Sequence, residues 1–187
     1  MNTLPANSKI SITGDLGSGK STVAGIISEK YGYTYYSTGA VQRSLAQKYG
    51  MTTLEFNKYM ESHPEIDEEI DTQLTETGKQ SGRIIIDSRM AWHFVPHSFK
   101  VFLSVSPETA AARIMKAQRG NVETYTDLED AKTKLLARKA SENLRYSQKY
   151  GVDCSNMDNF DLVLDQTHAT PEETADIIIN ELSKLMK

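Results

Sequence analysis

Eight consecutive residues, Gly14-Asp15-Leu16-Gly17-Ser18-Gly19-Lys20-Ser21, restrict this chain more than any other stretch of it. They fit the pattern G-x-x-x-x-G-K-[ST] without a mismatch. Before them, Lys9 to Thr13 alternates polar and apolar residues like a short strand. After them, Ser21 to Tyr31 reads as a helix with Val23, Ala24, Ile26 and Ile27 on one side. A strand, a glycine-rich turn and a helix in that order leave backbone N–H groups bare at a helix N-terminus, where a polyphosphate is held. The loop from Gly14 to Thr22 is therefore expected to bind a nucleoside triphosphate, ATP with Mg²⁺. Lys20 would reach the β- and γ-phosphates, and the Ser21 hydroxyl would ligate the metal.

Composition limits the setting. With 187 residues the chain is long enough for one domain with a sizeable core, and residues 1–187 are expected to form that single unit. Lys and Arg number 21 against 25 Asp and Glu, a formal net charge of −4, which argues against a nucleic-acid-binding surface. Cys154 is the only cysteine, so no intrachain disulfide can form and a reducing cytoplasm is the expected location. Met1 to Ser8 is short and polar, unlike a signal peptide or a membrane span. A cytoplasmic monomer with no membrane or nucleic-acid partner is the expectation.

Short β-like runs alternate with longer helical stretches. Candidate strands are Lys9 to Thr13, Tyr33 to Tyr36, Arg83 to Asp87, Val101 to Leu103 and Leu162 to Leu164. The unbroken Ile84-Ile85-Ile86 suits a parallel strand covered on both faces. Helix starts are marked by Ser106-Pro107, by Thr126 with Glu129, and by Thr170-Pro171 with Glu173. The expected fold class is α/β, a five-stranded parallel sheet flanked by helices. Ligands of such sheets lie beyond the carboxyl ends of the strands, so Gly14, Ser37, Asp87 and Ser104 to Ser106 should gather around one cleft. Two regions interrupt the alternation. Residues 52–81 hold two helical patterns broken at His63-Pro64, and residues 117–150 include a long charged helix from about Thr126 to Tyr150. Asp87 closes the third strand, the position from which P-loop enzymes hold Mg²⁺.

The loop alone does not fix the reaction. A guanine-reading N-K-x-D sequence is absent, since Asn57-Lys58 is followed by Tyr59-Met60, and the short chain favours a kinase for a small acceptor. Four segments carry a family resemblance: Ile10 to Glu29 (ISITGDLGSGKSTVAGIISE), Tyr31 to Arg43 (YGYTYYSTGAVQR), Met51 to Asp71 (MTTLEFNKYMESHPEIDEEID) and Arg138 to Asp153 (RKASENLRYSQKYGVD). Together they resemble the cytidylate kinases of the nucleoside monophosphate kinase group, most of all the short archaeal-type branch. The resemblance implies the P-loop kinase fold, with an acceptor-binding insertion near 52–81 and a lid with its following helix near 117–150. It also implies transfer of the γ-phosphoryl of ATP to CMP or dCMP.

Phosphoryl transfer between polyanions calls for guanidinium groups, which grip phosphate through two donors at once and neutralise spreading charge. Arg43, Arg89, Arg119, Arg138 and Arg145 are the candidates. Arg138, Glu142 and Arg145 share one helix face through their i, i+4, i+7 spacing. By resemblance, Ser37, Thr38, Gly39, Arg43, Ser88, Arg89, Arg138, Glu142 and Arg145 hold the acceptor. Arg119 reaches the donor phosphates from the lid, and Lys20, Arg119 and Arg138 serve the transfer step. An acceptor that is already an anionic phosphate needs no general base, and the sequence offers none.

Three positions depart from the family pattern. Asp15 adds negative charge to the loop, Ser88 replaces a glycine, and Met90 stands where the bacterial branch has an aspartate. Two other readings stay open: a small-metabolite kinase of the shikimate or gluconate type, and a nucleotide-sensing protein that has lost turnover. Tyr31, Tyr33, Tyr35 and Tyr36 are expected to pack in the core and strands, Cys154 to be an inert thiol, and His93 and His97 to sit in a loop interrupted by Pro96.

Overall fold

The computed structural model describes residues 4–51, 53–117 and 125–185. Five strands, β1 (Lys9–Gly14), β2 (Thr34–Ser37), β3 (Ile84–Asp87), β4 (Phe99–Ser104) and β5 (Leu162–Asp165), form one parallel sheet in the order β2-β3-β1-β4-β5. The strand register is Ser37 opposite Asp87, Asp87 opposite Ile12, Gly14 opposite Leu103, and Ser104 opposite Asp165. The carboxyl ends therefore finish along one edge, as the sequence implies.

Helices α1 (Lys20–Tyr31), α2 (Thr38–Lys48), α3 (Thr53–Glu61), α4 (Pro64–Lys79), α5 (Ala91–Phe94), α6 (Pro107–Lys116), α7 (Leu128–Tyr150) and α8 (Pro171–Leu185) cover the sheet. Alternation along the strands divides the core in two. Ile10, Ile12, Ile85, Val101 and Leu103 pack with Val23, Ala24 and Ile27 of α1 and with Ala175, Ile178, Ile179 and Leu182 of α8. Ile84 and Ile86 point the other way, onto Leu74 of α4 and onto Ala91 and Val95. This is why three isoleucines run together in β3: both faces are covered, and each buried side chain contributes about 1.5–3 kcal/mol.

The interruption between β2 and β3 is α3 and α4, separated at His63-Pro64 as the proline requires. With α2 they share a core of their own, Ala46, Phe56, Met60 and Ile70. The first part of α7 packs Ala131 and Leu135 against Val105, Ala110, Ala111 and Ile114.

Two of the three expected helix caps form. Ser106 Oγ accepts the Thr109 amide, and Thr170 and Glu173 exchange side-chain and backbone hydrogen bonds. The third is displaced by one residue. Asp127, not Thr126, caps α7 by accepting the Asp130 amide, while Asp130 reaches back to the Thr126 amide. A charged carboxylate at each corner outcompetes the hydroxyl box that Thr126 and Glu129 would make.

At the opposite, amino edge of the sheet, Arg83 donates to the carbonyls of Leu4, Pro5 and Tyr31 and ties down the start of the described chain. The last turn of α8 reaches the same edge, where Leu182 and Leu185 share a groove with Asn7, Ser8 and Phe99.

Candidate active site

The phosphate loop is shaped by its neighbours as much as by its own glycines. Gly14 has φ +145°, and a Cβ there would lie 2.1 Å from the Leu103 carbonyl oxygen, so β4 leaves no room for a side chain. The next amide, Asp15, donates to that same carbonyl at 2.9 Å. Gly17 is likewise confined, since its Cβ would come within 2.9 Å of Ala110 on α6. Leu16 packs onto the α6–α7 cluster, so its contribution to the loop is through its backbone. Ser18 is buried, whereas Ser21 and Thr22 are exposed on the first turn of α1.

Lys20 curls back over this loop. Its ammonium donates to the carbonyls of Gly14 (2.9 Å) and Asp15 (2.6 Å). Burial and then the positive charge of Arg89 lower its pKa to about 8, against the pull of Asp87, Glu142 and Asp15. The charges of Lys20, Arg89, Asp87 and Glu142 thus meet across one cleft.

Asp87 closes β3 beside β2, and Tyr35 donates its hydroxyl to Asp87 Oδ2 at 3.0 Å. Burial and the Asp87 charge push the Tyr35 hydroxyl up to about 12, so it stays a donor at neutral pH. Ser21 and Asp87 offer a hydroxyl and a carboxylate, hard oxygen donors of the kind Mg²⁺ takes alongside water and phosphate. The donor set therefore fits the metal expected with a triphosphate.

Beyond β2, Ser37 caps α2 by accepting the Ala40 amide, and Thr38 is buried at the first turn. The Arg43 guanidinium folds back over Gly39, 3.4 Å from where a Cβ would stand. Opposite, α7 presents the face foreseen from its spacing. Glu142, 15% exposed, lies between two guanidiniums, with Arg138 Nε 2.8 Å from one oxygen and Arg89 Nη2 2.8 Å from the other. Burial opposes ionisation of Glu142, but the two guanidiniums outweigh it and hold the carboxyl below its usual range. Further along, Arg145 lies 3.9 Å from Asp67 of α4, and Lys149 lies 3.5 Å from Asp67 and 3.7 Å from Asp71. Tyr150 donates to Asp71 at 2.5 Å, closing the α4–α7 seam.

Some expected residues sit elsewhere. The Ser88 side chain is turned inward, and its hydroxyl accepts the Met90 amide, so it shapes the turn after β3 instead of facing an acceptor. Met90 is 3% exposed, with its sulfur 3.8 Å from Cys154 Sγ, and does not present a base-reading group. Arg119 lies outside the described residues.

Other residues join the site although no role for them could be read from the order of residues. Tyr35 is one, a correction to its reading as packing alone. Lys139 is another: its ammonium is 2.6 Å from Asp15 Oδ1, while Asp15 Oδ2 accepts the Val105 amide at 3.2 Å. The unusual charge at Asp15 was the available signal that a cation must come close. Beneath α7, a cavity of about 210 Å³ runs between Thr13, Asp15, Arg89, Lys139, Asn143 and Tyr146.

A parallel sheet carrying this loop, with a cationic cleft at its carboxyl edge, defines a P-loop kinase. The fold matches shikimate kinase from Acinetobacter baumannii with a TM-score of 0.62 at 16% identity, over 97% of this chain and 96% of that one. At that identity the likeness concerns the fold. The model of the cytidylate kinase-like family matches residues 9–168, and the chain belongs to that family. It is 36% identical over 183 residues to a cytidylate kinase of Methanocaldococcus jannaschii, covering 95% of this chain and 99% of that one. It is also 36% identical over 177 residues to an S-adenosylmethionine-dependent nucleotide dehydratase of Lacinutrix mariniflava. That match takes in 94% of this chain but spans only 36% of the dehydratase's length. The chain is thus an ATP-dependent kinase by family.

Proposed function

We propose that this protein transfers the γ-phosphoryl group of ATP to CMP or dCMP, giving ADP and the corresponding diphosphate. The observation that carries the reading is geometric: Arg89 and Arg138 both close on Glu142 at 2.8 Å, beside the cleft in which Lys20 of the donor loop feels the Arg89 charge. Two cations held that near each other are suited to a cleft in which two phosphate chains meet.

In this reading the loop amides and Lys20 hold the β- and γ-phosphates. Ser21 and Asp87 hold Mg²⁺, which when bound draws charge from the phosphate oxygens. Arg43, Arg89, Arg138 and Arg145 grip the acceptor phosphate. Glu142 keeps Arg89 and Arg138 oriented and stands at the acceptor's sugar. An anionic acceptor oxygen forms the new bond to the γ-phosphorus as the bond to the β-phosphate oxygen breaks, and no base is required. The helical pair α3–α4 serves as the acceptor-binding insertion, and residues 117–150 as the lid and its helix. The family match and the 36% identity to a cytidylate kinase support cytosine as the base.

The test is ADP release with CMP, dCMP, UMP, AMP and shikimate as acceptors. Turnover on CMP or dCMP above the others is expected. Turnover on shikimate alone would make the protein a metabolite kinase, and tight ATP binding without turnover on any acceptor would make it a nucleotide sensor.

A further inference from the structure

Asp15 is an unfavourable residue to place in a phosphate loop unless its charge is used elsewhere. Its backbone carbonyl holds the Lys20 ammonium, while its side chain is directed to two other elements. One oxygen is tied to Val105 in the β4–α6 connection, and the other meets Lys139 of α7 at 2.6 Å. Asp15 is 13% exposed, so this pair is partly withdrawn from solvent on the carboxylate side.

The same contact matters to α7. The buried residues of this helix are Ala131 and Leu135, both near its start. Beyond Leu135 the helix carries Arg138, Glu142 and Arg145, whose ion pairs hold this stretch together with the ring contacts of Tyr146 and Tyr150. Lys139 precedes all but Arg138 of these. Its ion pair with Asp15 is the contact that joins this face to the phosphate loop, while Arg89–Glu142 and the Asp67 and Asp71 contacts join it to the turn after β3 and to α4.

We propose that Lys139 is a positioning residue that couples the donor loop to the acceptor-gripping helix through Asp15. It neutralises a carboxylate that would otherwise repel the triphosphate, and it sets the spacing between the two phosphate clamps. The inference rests on the functional reading above, and its ATP-binding arm is independent of which acceptor is used.

The experiment compares the wild type, Lys139→Met, Asp15→Asn/Lys139→Met and Lys139→Arg, each checked for folding by circular dichroism. ATP affinity is measured by calorimetry without acceptor, and kcat is measured with the best acceptor of the panel. Lys139→Met should weaken ATP binding about tenfold, because it leaves Asp15 uncompensated. The double variant should recover most of that affinity while kcat stays about tenfold low, since the link between α7 and the phosphate loop is still missing. Lys139→Arg should remain within about threefold of wild type in both. A Lys139→Met protein within about twofold of wild type in both affinity and kcat overturns the proposal, and so does a double variant whose ATP affinity is no better than that of the single. If Lys139→Met fails to fold, the charge exchange Asp15→Lys/Lys139→Asp decides instead, with recovery of kcat over Asp15→Lys alone expected and no recovery overturning the coupling. A wild type that binds ATP but turns over no acceptor would sink the functional reading while leaving the affinity arm able to judge the Asp15–Lys139 pair.

Discussion

Arg89 and Glu142 meet at 2.8 Å across the cleft, one from the turn after β3 and the other from the middle of α7, and both are largely buried. Arg138 takes the second oxygen of the same carboxylate. One carboxylate thus holds two guanidiniums that would otherwise repel each other, and in the function proposed above these are two arms of the acceptor clamp.

Replacing Glu142 with Gln should leave two guanidiniums, the largely buried one of Arg89 and the partly exposed one of Arg138, facing each other without their anion. The expected loss of stability is about 2–4 kcal/mol, seen as a lower urea midpoint. The Glu142 carboxyl is held below its usual range, so its contribution is complete above the pKa of the unfolded chain and is lost as pH falls through the lower folded value. The gap between wild type and Glu142→Gln should accordingly narrow in acid. A constant gap from pH 7 down to pH 3 would contradict this account.

Lys20→Met should abolish turnover yet stabilise the unliganded protein. The folded pKa of Lys20, about 8, lies below its ordinary 10.5. Between those values the unfolded chain binds a proton that the folded chain lacks, so this group adds stability as pH rises. Below pH 8 its penalty is fully present, on the order of 3–4 kcal/mol. Urea denaturation at pH 7 should favour Lys20→Met by roughly that amount, less the cost of its lost hydrogen bonds. Near pH 10 the advantage should have largely gone.

Tyr35→Phe removes the hydroxyl that holds one oxygen of Asp87. The bond is exposed, so the fold should lose no more than about 1 kcal/mol. If Asp87 orients the metal, kcat should drop about three- to tenfold and half-saturation should move to higher Mg²⁺. Titrating the rate with Mg²⁺ checks this, and an unchanged curve would separate Tyr35 from metal binding. The Tyr35 hydroxyl titrates near 12, so the rate profile between pH 6 and 9 should not change shape.

Gly14→Ala and Gly19→Ala should differ sharply, although both glycines have positive φ. At Gly14 the added Cβ meets a backbone oxygen at 2.1 Å, and at Gly19 it meets nothing within 4 Å. Gly19→Ala should cost only backbone strain, about 1–2 kcal/mol. Gly14→Ala must also separate β1 from β4, with a loss beyond about 4 kcal/mol. Thermal melts of the two variants provide the comparison.

The sheet and the donor loop were legible because they rest on local signals. Ile84 to Ile86 announces a strand covered on both faces, and the Gly14 to Ser21 pattern specifies its own backbone. The face of α7 was legible as well, since Arg138, Glu142 and Arg145 follow helical spacing. What lay beyond the sequence were relationships set by tertiary contact. Ser88 and Met90 stand beside Arg89, yet the turn after β3 points both side chains into the interior. Nothing in the order of residues says that Tyr35 reaches Asp87, 52 positions on, or that Lys139 comes to rest on Asp15. The shift of the α7 cap from Thr126 to Asp127 is a smaller case of the same kind, where two adjacent residues could both cap and charge decided between them.

The Arg83 clamp on Leu4 and Pro5 has a consequence for where the chain is fastened. It anchors the first described residues at the amino edge of the sheet, and the final turn of α8 arrives at the same edge. The phosphate loop and the arginine cleft lie at the other edge. The described chain is therefore fastened behind the sheet, and a change at Arg83 or Leu185 acts on an edge that shares no residue with the phosphate loop.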